Sequence, residues 1–196
     1  MPLLIATTNP GKMREIQGIL NWIPVELVTL ALFPDVPEPE ETGETFAENA
    51  RLKAIYYSEK TGLPAVADDS GIEIEALGGA TGVHSARWHG PDYPVKFAAI
   101  YRELAGQGLE TSPARFVAHI ALAHEGNILY EATGIIQGEI APEPKGSHGF
   151  GYDPIFFYPP YGCTLAEVNG AKKAAVSHRG KAFRQLRDWL AASNLP

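Results

Sequence analysis

Cations are the scarce charge in this chain. In 196 residues, 16 Lys and Arg stand against 23 Asp and Glu, for a formal net charge of −7. A field of that sign repels nucleic acid and anionic membranes, so neither is an expected partner, and an anionic ligand needs a local basic cluster or a metal. Cysteine is nearly absent. With Cys163 alone, no internal disulfide and no multi-cysteine zinc site can form, and the residue reads as a packed thiol beside Gly162. Long apolar runs are missing as well. Leu3-Leu4-Ile5-Ala6 stops at Thr7 with no basic stretch before it, far short of a signal peptide or a membrane span, so a soluble, cytoplasmic protein is expected.

Glycine and proline, 20 and 16 residues, exceed their usual share but stay below the roughly 25–30% that marks disorder. With a hydrophobic fraction of 45%, they describe a chain that buries a core and turns often. No internal repeat and no linker divides it. A single domain over residues 1–196 is expected, with loops near 33–45, 78–95 and 141–165.

Hydrophobic period sets the elements. Pro2–Thr7 reads as a short buried strand, and Met13, Ile16, Ile19 and Leu20 place a helix directly after Asn9-Pro10-Gly11-Lys12. Val25–Leu30 is a second strand. Thr45-x-x-Glu48 is a capping box that opens a helix running to about Thr61. Leu63–Ala67 is a third strand, which Asp68-Asp69-Ser70-Gly71 is expected to end. Ile72–Leu77 alternates, Pro94–Ala105 is helical, and Arg115–His124 with Asn127–Ile140 forms a hairpin around Gly126-Asn127. Pro154–Tyr158 is a strand, and a last helix starts near Ser177 with Phe183, Leu186 and Leu190 inward. The fold class is therefore α/β, with a mixed, partly antiparallel sheet flanked by helices.

Charge is unevenly spread. From Glu15 to Ala50 there are eight acids and no Lys or Arg, whereas the last quarter carries Lys172, Lys173, Arg179, Lys181, Arg184 and Arg187. Taken alone, both runs read as solvated faces; brought together by the fold, they would suit a metal–polyphosphate ligand. Gly11-Lys12 after a strand superficially resembles a Walker A loop, but Ala6 and Met13 stand where that loop needs glycine and Ser or Thr. What remains is a helix N-terminus with Lys12 in its first turn and Thr7, Thr8 and Asn9 before it. Such an end binds anions, although Asn9 as N-cap with Pro10 at N1 explains the same residues.

Lys53 shares the apolar arc of its helix with Phe46, Ala50, Ala54 and Tyr57, so it either snorkels to the rim or points into a polar pocket. Asp68 and Asp69 lie at the carboxyl end of a buried strand, where α/β sheets place ligands, and hard carboxylates there suit Mg²⁺. Neighbours on a strand point to opposite faces, so the two acids serve one site only if Ser70-Gly71 bends the chain. Gly149-Phe150-Gly151-Tyr152-Asp153-Pro154 sets aromatics and an acid on a flexible backbone, fit for stacking a planar base or for a plain turn. Ser177-His178-Arg179, after Lys173, adds a cap and two donors at a helix start.

In this order the pieces resemble one family, the inosine triphosphate pyrophosphatases, also described as house-cleaning XTP/dITP pyrophosphatases. The carrying segments span nearly the whole chain. They are Ala6–Lys12, Glu41–Asn49, Leu52-Lys53-Ala54, Ala67–Gly71, Ser85-Ala86-Arg87, Gly149–Phe156 and Ser177–Gly180. The resemblance implies an elongated α/β subunit with a central cleft, a homodimer, and Mg²⁺- or Mn²⁺-dependent hydrolysis of non-canonical purine nucleoside triphosphates (ITP, dITP, XTP). The products would be the monophosphate and pyrophosphate. It implies Glu41 and Asp69 as metal carboxylates, and Asp69, supported by Asp68, as catalytic base for the attacking water. It assigns Thr7, Thr8, Asn9, Lys12, Lys53, Ser70 and Lys173 to phosphates, ribose or neighbouring ligand groups. Phe150, Gly151, Tyr152 and Asp153 with His178 and Arg179 would hold the base. The chain departs from the family pattern at His148 and in the short stretch His89–Phe97.

Two other classes fit parts of the sequence. A non-catalytic nucleotide sensor would use the same residues, but binding alone rarely requires so many carboxylates beside phosphates unless a metal is held. A Maf-like pyrophosphatase with another nucleotide preference shares the fold, yet the Phe150–Asp153 and Ser177–Arg179 segments suit purines better.

Overall fold

The computed structural model describes residues 1–193. One seven-stranded sheet runs in the order β2-β1-β3-β4-β5-β6-β7, from β1 Leu3–Ile5, β2 Leu27–Thr29, β3 Ala65–Ile74, β4 Pro113–His124, β5 Asn127–Ile140, β6 Phe156–Tyr158 and β7 Cys163–Thr164. The described helices are α1 Pro10–Leu20, α2 Phe46–Thr61, α3 Tyr93–Gly106, α4 Gly170–Val176 and α5 His178–Ala192. β1 is parallel to β2 and β3, while β6 is antiparallel to β5 and β7, so the sheet is mixed as the alternation of elements required. Among the described residues no helix is long and apolar enough to cross a membrane.

The chain forms two compact units. One takes Met1–Asp69, Ala118–Gly134 and the chain from His178 onward; the other takes Ser70–Val117 and Ile135–Ser177. In the first unit, side-chain alternation along the strands builds two cores. Leu3, Ile5, Val66, Ile120 and Leu122 pack with α1 and α5 through Ile16, Ile19, Leu20, Phe183, Leu186 and Leu190. The intervening residues Leu4, Ala6, Ala65, Ala67, Ala121 and Ala123 face α2 through Ala50, Ala54 and Tyr57. Small side chains on both partners let the α2 backbone approach the sheet closely, which matters for the polar residues at its start. Gly134 permits a second close approach. A Cβ there would collide with the His178 carbonyl at the first turn of α5.

In the second unit Ile72, Ile74, Phe116, Ile136, Ile140 and Phe156 enclose a core with Phe97, Ile100 and Leu104 of α3. The helix caps follow the sequence. Asn9 Oδ1 accepts from the Gly11 and Lys12 amides, with Pro10 in the first turn, and Thr45 and Glu48 form the expected capping box. The β4–β5 turn is Glu125-Gly126, both with positive φ, one residue earlier than the sequence placed it. One expectation is corrected. Asp68-Asp69-Ser70-Gly71 does not end a strand: β3 continues through it to Ile74, taking in the first part of the separate alternating run expected at 72–77. The last helix starts at His178, as expected, with Phe183, Leu186 and Leu190 buried, and α4 is a further helix that the sequence reading did not name.

Candidate active site

Continuity of β3 decides where its two aspartates point. Asp68 has the parity of Val66 and projects to the α1/α5 face; Asp69 has the parity of Ala65 and Ala67 and projects to the α2 face. Ser70-Gly71 therefore does not fold both acids toward one side. Instead, each face receives its own set of charges.

On the α2 face, Lys53 Nζ donates to Glu41 Oε1 at 2.7 Å, to the Asp68 carbonyl at 2.8 Å and to Asp69 Oδ1 at 3.3 Å. Its side chain is only 12% exposed, so the polar pocket, not the rim, is its destination. Asn49, one helical turn before Lys53, donates to Asp69 Oδ2 at 3.2 Å and accepts from the Gly43 amide at 2.8 Å. Gly43 is where a side chain would strike Asn49, and the clamp fixes the segment that carries Glu41 two residues away.

On the opposite face, Asp68 Oδ2 meets Lys12 Nζ at 3.1 Å and Arg179 Nε at 3.1 Å, and Arg179 Nη1 donates to Glu15 Oε2 at 2.6 Å. Arg179 is 2% exposed. Nearby, Thr7 Oγ1 accepts from the Asn9 amide and the Thr8 hydroxyl donates to Glu38.

These surroundings drive the two carboxyls apart. Burial raises both. On Asp69 it prevails, with the like charges of Glu41 and Asp68, over the pull of Lys53 and Lys12, leaving the carboxyl above its ordinary value. On Asp68 it is outweighed by Lys12, Arg179 and Lys53, which hold the group far below the carboxylate range. The lysines divide too: burial lowers Lys12 despite Asp68, whereas Asp69, Asp68 and Glu41 overcome burial at Lys53 and raise it.

The second unit holds its own cluster. Asp153 Oδ2 accepts from the Phe150 amide at 2.8 Å and pairs with the buried Lys173 ammonium. That ammonium sits 4.6 Å from the Phe150 ring centroid, a cation–π contact. Gly149 and Gly151 have φ of 72° and 67°, and a Cβ on Gly149 would strike the Asp153 carboxylate. Tyr152 is buried, its hydroxyl donating to the Ser85 carbonyl at 2.8 Å. Ser70 is half-buried on β3.

The structure thus brings Lys12, Glu41, Lys53, Asp68, Asp69 and Arg179 together in the first unit, and Phe150–Asp153 with Lys173 in the second. His178 and Arg179 belong to the first. Sequence reasoning gave no role to Glu15, Asn49, Ser85 or Lys96. Spacing would have found two of them, since Glu15 is three residues from Lys12 and Asn49 four from Lys53, each on one helix face.

Glu41 and Asp69 offer the kind of oxygen ligand that a divalent cation takes. Among the described residues no group of three or more His, Cys, Asp or Glu is arranged to hold a metal ion. Glu41 and Asp69 nevertheless converge on one positive charge, the Lys53 ammonium. Two hard oxygen ligands of this kind suit Mg²⁺ or Mn²⁺, which take their other ligands from water and phosphate.

A profile of the Ham1 family matches residues 3–189. The chain belongs to the Ham1 family. Every candidate residue from Thr7 to Arg179 lies inside that match. A dITP/XTP pyrophosphatase from Geobacter sulfurreducens is 46% identical over 190 residues, covering 96% of each chain. One from Thermus thermophilus is 46% identical over 190 residues, covering 95% of this chain and 90% of that protein. A Ham1 protein from Coxiella burnetii superimposes with a TM-score of 0.90 at 38% identity, covering 98% of this chain and 100% of the other. The Staphylococcus aureus Ham1 protein does so with 0.86 at 32% identity, covering 99% and 100%.

Proposed function

We propose that this chain hydrolyses non-canonical purine nucleoside triphosphates, ITP, dITP and XTP, to the monophosphate and pyrophosphate. The relatives bear the name of that activity, and one geometric observation carries the reading to these residues: Glu41 and Asp69 share the Lys53 ammonium. Displacement at phosphorus asks little covalent help from a protein and much positioning and charge neutralisation. Lys12 and Lys53 supply cations, and the α1 N-terminus supplies oriented dipoles.

Glu41 and Asp69 would hold Mg²⁺, or Mn²⁺, which when bound neutralises phosphate charge. Asp69 accepts the proton of the water that attacks the α-phosphorus. Asp68, held ionised by Lys12 and Arg179, keeps those cations in place. In this reading Lys173 and Ser70 touch the nucleotide, Phe150 stacks on the base, and Gly151, Tyr152 and Asp153 line it. Arg179, which the resemblance assigned to the base, is buried against Asp68 and Glu15, and in this reading it braces Asp68 instead. A homodimer, implied by the resemblance, belongs to the same proposal.

The experiment is product analysis. Purified protein incubated with ITP and Mg²⁺ is expected to release IMP and pyrophosphate in equal amounts. IDP with orthophosphate would overturn the assignment, and tight binding without turnover would favour a sensor.

A further inference from the structure

Lys96 lies in the first turn of α3 with no solvent exposure, on the helix face that also carries Phe97, Ile100 and Leu104 into the core. Among the described residues its charge is met by backbone oxygens and π faces instead of a carboxylate. Nζ donates to the Ser85 carbonyl at 3.1 Å and the Ala86 carbonyl at 2.7 Å, and lies 4.4 Å from the Tyr93 ring centroid and 5.8 Å from that of Tyr152. A buried ammonium held without an anion is costly, and an apolar side chain of the same length would fill the space without that cost. Filling a core is therefore not what this lysine is for.

The Ser85 oxygen is the informative atom. It accepts from Lys96 and from the Tyr152 hydroxyl, so one carbonyl ties α3 to the centre of the Gly149–Asp153 turn. Tyr93, on the same turn of α3 as Lys96, closes the arrangement. Its ring stands edge-on to Tyr152 at 5.3 Å, with its hydroxyl about van der Waals distance from where a Gly151 side chain would begin. The Ser85 hydroxyl is itself bonded, to the Ile72 amide and the Gly82 carbonyl, so the carbonyl that Lys96 grips belongs to a fixed turn. Lys96 also falls in the stretch His89–Phe97, where the chain departs from the family pattern.

We propose that Lys96 is a positioning residue for base selectivity: through the Ser85 carbonyl and the Tyr93 and Tyr152 rings it sets the placement of Tyr152, and with it the Phe150–Asp153 turn. This rests on the reading that the turn holds the purine base. Lys96 touches neither phosphate nor metal carboxylate, so its effect falls on binding of the base and not on the chemical step.

The test compares wild type, Lys96→Met, Lys96→Arg and Tyr152→Phe, each assayed with ITP and ATP after thermal unfolding confirms a folded state. Lys96→Met is expected to raise KM for ITP about tenfold with kcat within about twofold, and to cut the preference for ITP over ATP at least about fivefold. Lys96→Arg, which keeps a cationic donor, recovers part of the loss. Tyr152→Phe removes the other donor to the same oxygen and shifts KM and preference in the same direction. The double variant Lys96→Met/Tyr152→Phe falls short of the summed single effects, because the two side chains act through one carbonyl. An active wild type with KM and preference unchanged in Lys96→Met overturns the inference alone. If Lys96→Met does not fold, unchanged values in Tyr152→Phe overturn it equally. A wild type that does not cleave ITP overturns the functional reading, and the inference falls with it.

Discussion

Asp68 and Asp69 are neighbours in sequence and opposites in the fold: on an unbroken β3, Asp68 faces Lys12 and Arg179 while Asp69 faces Asn49 and Lys53. Their neutral near-isosteres should therefore fail in different ways. Asp69→Asn is expected to keep the fold and lose turnover by roughly 10²–10⁴-fold, the range for removing a general base. Asp68→Asn leaves Lys12 and Arg179 buried without their shared anion, which costs about 3–5 kcal/mol when one partner of such a pair is removed. Chemical denaturation and kcat, measured on both variants, check the contrast. Equal losses of stability would contradict it.

The same pair gives a pH signature in the metal-free protein. The Asp68 carboxyl is lowered in the folded state, so its contribution to stability is present above the unfolded value of about 3.9 and is lost as pH falls through the folded value. Asp69 is raised, so the sign reverses: its contribution is present at low pH and is lost as pH climbs from about 3.9 through the folded value. Asp69→Asn should then be at least as stable as wild type at pH 7, the advantage shrinking under acid. Asp68→Asn should be less stable at pH 7, with its deficit narrowing below about pH 4. Thermal unfolding from pH 3 to pH 8 tests both slopes.

Lys53→Met removes the charge on which Glu41 and Asp69 converge. Two carboxylates are then left facing each other in a half-dry pocket. Stability should fall by up to about 3 kcal/mol, at the lower end for a pair that still reaches water. Mg²⁺ should restore more stability to this variant than it adds to wild type, because the cation replaces the lost ammonium. Equal Mg²⁺ shifts in thermal unfolding would mean the two carboxylates do not share a cation.

Gly149→Ala forces a side chain into left-handed backbone and onto Asp153. The backbone alone costs about 1–2 kcal/mol. Moving Asp153 releases both the Phe150 amide and Lys173, so KM for ITP should rise well beyond what the stability loss explains. A KM unchanged within error would separate the Phe150 turn from the base.

Much of this was legible in the sequence because local chemistry dictated it. Asn9-Pro10, the Thr45/Glu48 capping box and the alternating hairpin of β4 and β5 are short-range signals, and each element stands where they place it. Lys53 announced itself as a charge on an apolar helical arc. The passage through Asp68-Asp69-Ser70-Gly71 was not legible, since its composition is that of a turn and only burial and pairing within the sheet keep it extended. Helical spacing sets Glu15 and Asn49 on the faces of Lys12 and Lys53, but their partners, Arg179 and Asp69, are distant in sequence and no local pattern displays them. Lys96 is the clearest case. Its spacing gives a buried position, but the carbonyls and rings that make a buried lysine tolerable come from distant parts of the chain.

In the proposed reaction water, with Asp69 accepting its proton, attacks the α-phosphorus of a non-canonical purine nucleoside triphosphate such as ITP. Turnover of ITP with Mg²⁺ in water labelled with heavy oxygen tests it most directly, by mass spectrometry of the products. The account predicts one labelled oxygen in IMP and none in pyrophosphate, with the signal reduced in proportion to turnover in Asp69→Asn. Label in pyrophosphate, or in released orthophosphate, would place the attack on another phosphorus and contradict it.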